Sequence, residues 1–248
     1  MLRFEMFQKA ATGASLKRIS SVLLLVLLVS VAATRLSRAA QGANKLTLDY
    51  VFSMMDRSAQ DFHSLTADLD HVKYTAVVKD TSTEKGQILV RKDGKMRIDF
   101  HDPDVRTILR NGDNLYIYTP KIGTVEEFNI GKNRAMADQY LALGFGAKSE
   151  NLRKNYTITL SGEEELDGKK MAVLDLVPTS EDVRKQIAKI QMWMDEASWL
   201  PVQQKFYETD SGDYFVSRYR NVMKNLKIGD GRFKPDWPKG TKVDKPRG

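Results

Sequence analysis

From residue 64 onward the chain alternates apolar and polar positions in short bursts, each closed by a turn signal. A period of two sends successive side chains to opposite faces of a strand. At residues 95–100, Met96, Ile98 and Phe100 fall on one face and Arg97 and Asp99 on the other. Lys92-Asp93-Gly94 just before this burst is a hairpin signal. Pro103 after it stops the strand, because proline has no amide hydrogen for a ladder. The same reading predicts strands near residues 64–78, 86–91, 105–109, 115–118, 124–130, 156–165, 170–177, 187–194, 201–208 and 213–220. A final candidate is residues 222–228. Turns are marked by Asn111-Gly112-Asp113, Asp167-Gly168 and Asp210-Ser211-Gly212.

Two segments break the alternation. In residues 46–62, Leu48, Val51, Phe52, Met55 and Ala59 recur at spacings of three and four, which predicts an amphipathic helix with Thr47 as its N-cap. In residues 133–143, Met136, Tyr140, Leu141 and Leu143 share one helical side, and Gly144-Phe145-Gly146 ends the segment with a stop or a hinge. About eleven strands in mostly hairpin order imply a strongly curved antiparallel sheet. A sheet that wide closes or curls and leaves a concave space, which the helices could cover. Ile88, Val90, Met96, Ile98, Phe100, Ile190, Met192 and Met194 are the candidate inner-face residues, as cavity wall or as simple core. Methionine suits an irregular apolar ligand because its thioether chain adapts its shape.

Residues 1–39 read as an export signal. Lys17 and Arg18 flank an apolar run at residues 19–33, and Ser37-Arg38-Ala39 offers a cleavage site. The run is shorter than the ~20 residues that span a bilayer. Arg35 and Arg38 behind it leave an uncleaved anchor as the alternative. This segment changes the meaning of the net charge of +7, because it holds six basic residues and one acid. Without it the chain has 33 basic and 31 acidic residues, a net of +2, so the high pI is no argument for nucleic-acid binding. There is no cysteine. Lipidation at a cysteine and disulfides are both excluded, and the fold must rest on an ordinary core.

Candidate chemistry is sparse. His63 and His71 lie on one predicted strand, roughly 26 Å apart at about 3.3 Å per residue, and cannot share a metal through it. Glu163-Glu164-Glu165 is a carboxylate run whose neighbours alternate faces, unlike a glycosidase pair. No nucleophile elbow, Gly-rich dinucleotide fingerprint or phosphate loop occurs. The expectation is a binding protein, not an enzyme, with no cofactor and no metal.

The order of the pieces carries a resemblance. A signal, an amphipathic helix and a long strand lead to Lys-Gly-Gln-Ile-Leu-Val-Arg-Lys-Asp-Gly-Lys-Met-Arg-Ile-Asp-Phe at residues 85–100. Then come Pro103, Asn-Gly-Asp-Asn-Leu-Tyr-Ile-Tyr-Thr-Pro at residues 111–120, a short helix, Phe233-x-Pro235 and Pro-Lys-Gly-Thr-Lys-Val at residues 238–243. This resembles the periplasmic outer-membrane lipoprotein carrier family (LolA-like), over essentially all of the chain after the signal. The resemblance implies a mainly β fold: an unclosed antiparallel β-barrel covered by the N-terminal helix and a short internal helical lid, which carries Met136, Tyr140, Leu141 and Leu143. It divides the chain into the signal, a carrier domain at residues 45–232 and a C-terminal tail at residues 233–248. It implies a monomeric periplasmic carrier that takes acylated lipoproteins from an inner-membrane lipoprotein-releasing transporter to an outer-membrane acceptor. The rival is a binding or sensing domain of the same fold for another amphiphile or an envelope regulator. The family holds its lid with an arginine on the second strand, before a proline. Here the matching place is Lys92, followed by Asp93, so Lys92 is either the latch or a solvated hairpin charge.

Overall fold

The computed structural model describes residues 46–131 and 143–246. The export segment and the lid residues Met136, Tyr140 and Leu141 lie outside them. The helix forms where the three-four spacing placed it, as α1 (Leu48–Gln60), with Val51, Phe52, Met55 and Ala59 buried. Thr47 caps it: its hydroxyl oxygen accepts from the Tyr50 amide at 3.2 Å, an interaction that contributes about 0.5–2 kcal/mol at such positions.

Twelve strands follow among the described residues: β1 (Ser64–Thr75), β2 (Asp80–Arg91), β3 (Lys95–Asp102), β4 (Arg106–Asn111), β5 (Asn114–Thr119), β6 (Thr124–Asn129), β7 (Tyr156–Leu166), β8 (Lys169–Pro178), β9 (Ile187–Asp195), β10 (Pro201–Glu208), β11 (Tyr214–Lys224) and β12 (Lys242–Asp244). Two short helices, α2 (Ser149–Asn155) and α3 (Glu181–Arg184), lie between them. All strands join one sheet in the order β12-β6-β5-β4-β3-β2-β1-β11-β10-β9-β8-β7. Its ends, β12 and β7, do not pair, so the barrel is unclosed, as expected. Every pairing is antiparallel except that of β12 with β6, which is parallel.

The expected separate strand at residues 222–228 does not exist. Residues 222–224 finish β11, and the chain then leaves the sheet at Asn225, which has a positive φ of 64°. The Asn225 side chain takes over as a clip. Its oxygen accepts from the His63 amide at 2.8 Å and its amide donates to the Asp61 carbonyl at 2.7 Å. Short polar side chains tolerate this left-handed conformation through such local bonds.

The segment read as a tail is part of the body. The 3-10 turn Asp230–Phe233 leads into it and inserts Phe233 against Leu89 and Leu109 on the outer face of the sheet, where Phe233 and Leu109 are fully buried. Trp237 packs on Tyr116 and Tyr118 with ring centroids 5.5 and 5.6 Å away. Arg97, on the face opposite Met96 and Ile98, is buried for this reason and pairs with Asp99 at 2.8 Å and Asp236 at 3.1 Å.

Candidate functional site

Residues opposite each other in register share a face, and the pairings define the concave inner face row by row. One row crosses five strands: Ile117, Ile108, Ile98, Ile88 and Ala67. The next runs through Leu115, Arg110, Met96, Val90 and Leu65. The sequence alternation in β3 therefore reported the face correctly.

The two halves of this face are filled differently. On β8, β9 and β10 it is covered by α1. Val51, Phe52 and Met55 pack with Leu174, Ile190, Met192, Met194 and Phe206 in one cluster. Ile190, Met192 and Met194 have no exposed surface. The structure thus places these three candidates beneath the helix. On the other half, Ile88, Val90, Met96 and Phe100 are buried in a second cluster with Phe62, Leu65 and Phe145. Further out, Ile98, Ile108, Leu115, Ile117 and Phe128 are only half-buried. Here the fold presents apolar surface that α1 does not reach.

A pocket of about 650 Å3 opens beside this half, within the ~300–1,000 Å3 range of ligand sites. One wall is the β2–β3 hairpin from Val90 to Met96. The other is α2, through Asn151, Leu152, Lys154 and Asn155. Phe62, Leu143 and Phe145 form part of its apolar lining, and Arg110 reaches it from β4. Of the eight sequence candidates, Val90 and Met96 are on this wall. Lys92 is at its mouth and exposed, with its backbone amide donating to the His63 carbonyl at 2.9 Å. Leu143, the one proposed lid residue within the described part, is buried under the sheet.

The strap from Leu143 to Ala147 is tied down across the concave face. The buried Gln204 amide donates to the Leu143 carbonyl at 2.6 Å, and the Tyr219 hydroxyl donates to Gln204 at 2.9 Å. Burial pushes the Tyr219 hydroxyl well up from its usual range, so it stays protonated as a donor. Phe145 stands edge-on to Tyr219, with ring centroids 4.9 Å apart. Gly144 and Gly146 have φ of +82° and +64°, and a Cβ on Gly146 would sit 2.3 Å from the Phe62 ring. Asp56 of α1 then receives both the amide and the hydroxyl of Ser149, at 2.6 and 2.8 Å, and starts α2.

Two polar residues of the inner face were not among the sequence candidates for it. Arg110 is 1% exposed on the inner face, opposite Met96. The strand predicted at residues 105–109 stopped one residue short of it, whereas β4 runs on to Asn111. His71 lies at the other end of the same face, its ring Nδ1 3.2 Å from the Ser217 hydroxyl and its ring against Phe100 and Phe215. Burial holds its pKa below the usual histidine value. The Arg106–Glu84 pair, at 2.9 Å, is beside it. Among the described residues no three His, Asp or Glu side chains come together as a metal site. Glu164 of the carboxylate run accepts from the Trp193 indole at 2.7 Å.

An unclosed antiparallel sheet curled around an N-terminal helix, with an apolar concave side, is the architecture that the resemblance implied. A family model described as "Uncharacterized protein" matches residues 70–230, and the chain belongs to that family. An uncharacterized protein of Methanocaldococcus jannaschii is 22% identical over 199 residues, covering 80% of this chain and 54% of that one. The chain thus spans about half the length of this curated relative. An uncharacterized conserved protein from Thermus thermophilus has a similar fold, with a TM-score of 0.52 at 9% identity over 80% of this chain and 98% of that one. A LolA superfamily protein from Nitrosomonas europaea gives a TM-score of 0.41 at 15% identity over 77% and 98%.

Proposed function

We propose that this protein is a periplasmic carrier that holds the acyl chains of lipoproteins on the concave side of its sheet and shuttles them from the inner to the outer membrane. The observation that carries the reading is the uneven filling of that side. The β8–β10 half is packed solid by α1, while the β3–β6 half keeps half-buried isoleucines beside an apolar-walled pocket. A lipid chain drawn from a bilayer loses about 0.8 kcal/mol per methylene to water. Surface of this kind returns most of that without the lock of a filled core.

The carrier binds and releases and does no chemistry. Its donor is an inner-membrane lipoprotein-releasing transporter and its acceptor an outer-membrane receptor, and it works as a monomer with its signal removed. Lys92, at the pocket mouth, acts as the latch in place of the family's arginine. It keeps the charge but gives up the planar fork of donors.

The test is purification from the periplasm followed by mass spectrometry of what is bound, then transfer of an acylated peptide from donor to acceptor vesicles. Acyl-bearing molecules should co-purify, and transfer should depend on the protein. Acyl binding without transfer would point to a binding or sensing domain instead. A folded protein that neither carries nor binds acylated peptide would defeat the reading.

A further inference from the structure

We infer that the pocket between the β2–β3 hairpin and α2 selects amphiphiles whose head group is anionic. This rests on the acyl-binding reading above and adds the chemistry of the head. The inference comes from how charge is distributed around the pocket.

Five cationic side chains line it, Arg91, Lys92, Lys95, Arg110 and Lys154, against a single carboxylate among the described lining residues, Asp93. That carboxylate is already committed. Arg91 binds it at 2.7 Å and Lys95 stands 3.5 Å away, and the Arg91 guanidinium holds its pKa down to about 2. Arg91 and Lys95 also reach Asp230. These two cations are therefore spent on a network that fastens the hairpin to the C-terminal segment. Lys92 and Lys154 lie beyond it. Lys154 is paired with Glu150, but both ends are exposed, and an exposed pair one helical turn apart holds little energy.

The placement of these two cations fits an amphiphile held head outward. Lys92 and Lys154 are exposed and line the pocket from the β2–β3 hairpin and from α2 respectively. Arg110 lies deeper, in the same register row as Met96 and Val90. Below the mouth the walls turn apolar, with Phe62, Leu143, Phe145 and Leu152. A carboxylate or phosphate between Lys92 and Lys154 would gain charge-assisted hydrogen bonds, in a site where neighbouring protein lowers the screening. A neutral head of the same size would gain none of this.

The test titrates the purified protein with three single-chain ligands of equal length, below their aggregation concentrations: palmitate, palmitoyl lysophosphatidic acid and monopalmitoylglycerol. The two anionic ligands should bind at least about fivefold more tightly than the neutral one. That margin should shrink as salt rises from about 0.05 to about 0.5 M. Whichever anion binds more tightly tells a carboxylate source from a phosphate source. In a Lys92→Glu/Lys154→Glu double variant, with both positions exposed and folding checked by circular dichroism, the ratio of anionic to neutral affinity should fall to about one or below, a ratio from which any change in opening common to all three ligands cancels. Equal affinities for all three ligands would overturn the inference and leave acyl binding standing. A preference that survives the double variant would place the selecting charge elsewhere and overturn it too. Failure of all three ligands to bind would sink the inference together with the acyl-binding reading.

Discussion

Gln204 fixes Leu143 to the inside of the sheet through one amide, which donates to the Leu143 carbonyl at 2.6 Å. Both residues are buried, and the oxygen of the same Gln204 side chain is occupied by the Tyr219 hydroxyl. The chain of three groups leaves each polar atom in it satisfied where water cannot reach. It also sets the position of the strap that walls one side of the pocket.

Gln204→Leu should therefore cost about 1–3 kcal/mol, because it strands a buried carbonyl and a buried hydroxyl at once. Tyr219→Phe should cost less, since only the Gln204 oxygen loses a partner. Urea midpoints at unchanged slope would measure both. Midpoints that stay at the parental value in both variants would show that the strap is held by packing alone.

Gly146 and Gly112 have nearly the same φ, +64° and +62°, but a Cβ on Gly146 meets Phe62 at 2.3 Å while one on Gly112 meets nothing within 4 Å. Gly112→Ala should thus lose only the backbone term, about 1–2 kcal/mol. Gly146→Ala should lose that and the packing of Phe62 as well, and unfold at clearly lower temperature. Equal melting temperatures would mean that the strap shifts freely away from Phe62.

Much of this architecture was legible because its signals are local. The hairpin at Lys92-Asp93-Gly94, the cap at Thr47 and the alternation in β3 each depend on a few neighbouring residues. What was not legible depends on distant partners. α2 starts at Ser149 because Asp56, 93 residues earlier, accepts its amide and hydroxyl. Phe233 is core because it lands on Leu89 and Leu109, and that contact buries Arg97 with it. Met192 and Ile98 obey the same alternation. Only the placement of α1 makes one a sealed core residue and leaves the other half-open.

Phe233 gives the sharpest check on the C-terminal segment. It is fully buried and carries the Arg91 guanidinium 5.1 Å above its ring. Phe233→Ala should cost about 3–5 kcal/mol if the segment is an integral layer of the fold. A denaturant midpoint that does not move would mean that residues 229–246 detach without consequence for the sheet.

His71 sets a pH dependence. Its folded pKa lies below the unfolded value of 6.5, chiefly because burial penalises the imidazolium, with Arg106 and Lys73 adding to this and Glu84 opposing it. The unfolded chain then binds more protons than the folded one just below pH 6.5, so stability rises with pH through that window. Acidification from about pH 7 to about pH 5 should weaken the fold, and His71→Gln should flatten that slope. The carboxylates held low, such as Asp93 at about 2, act at lower pH. A slope unchanged in His71→Gln would assign the acid sensitivity to other groups.

The division of the inner face predicts that stability and binding can be separated by choice of residue. Ile98 and Ile108 are half-buried neighbours across β3 and β4, while Met192 is sealed beneath α1. Truncating Met192 to alanine leaves a cavity that cannot collapse freely, at a cost of about 2–5 kcal/mol, but removes nothing that a ligand touches. Truncating Ile98 and Ile108 together leaves little cavity, because both already border open space. It does remove apolar contact from any acyl chain lying on that half, and about 1.4 kcal/mol of lost contact is a tenfold weaker affinity. Acylated-peptide titrations and thermal melts on both variants should therefore show opposite profiles: Met192→Ala unstable with near-parental affinity, Ile98→Ala/Ile108→Ala stable with affinity about tenfold weaker. If the isoleucine pair loses stability instead and binds as the parent does, the β3–β6 half is closed core and acyl chains bind elsewhere on the protein.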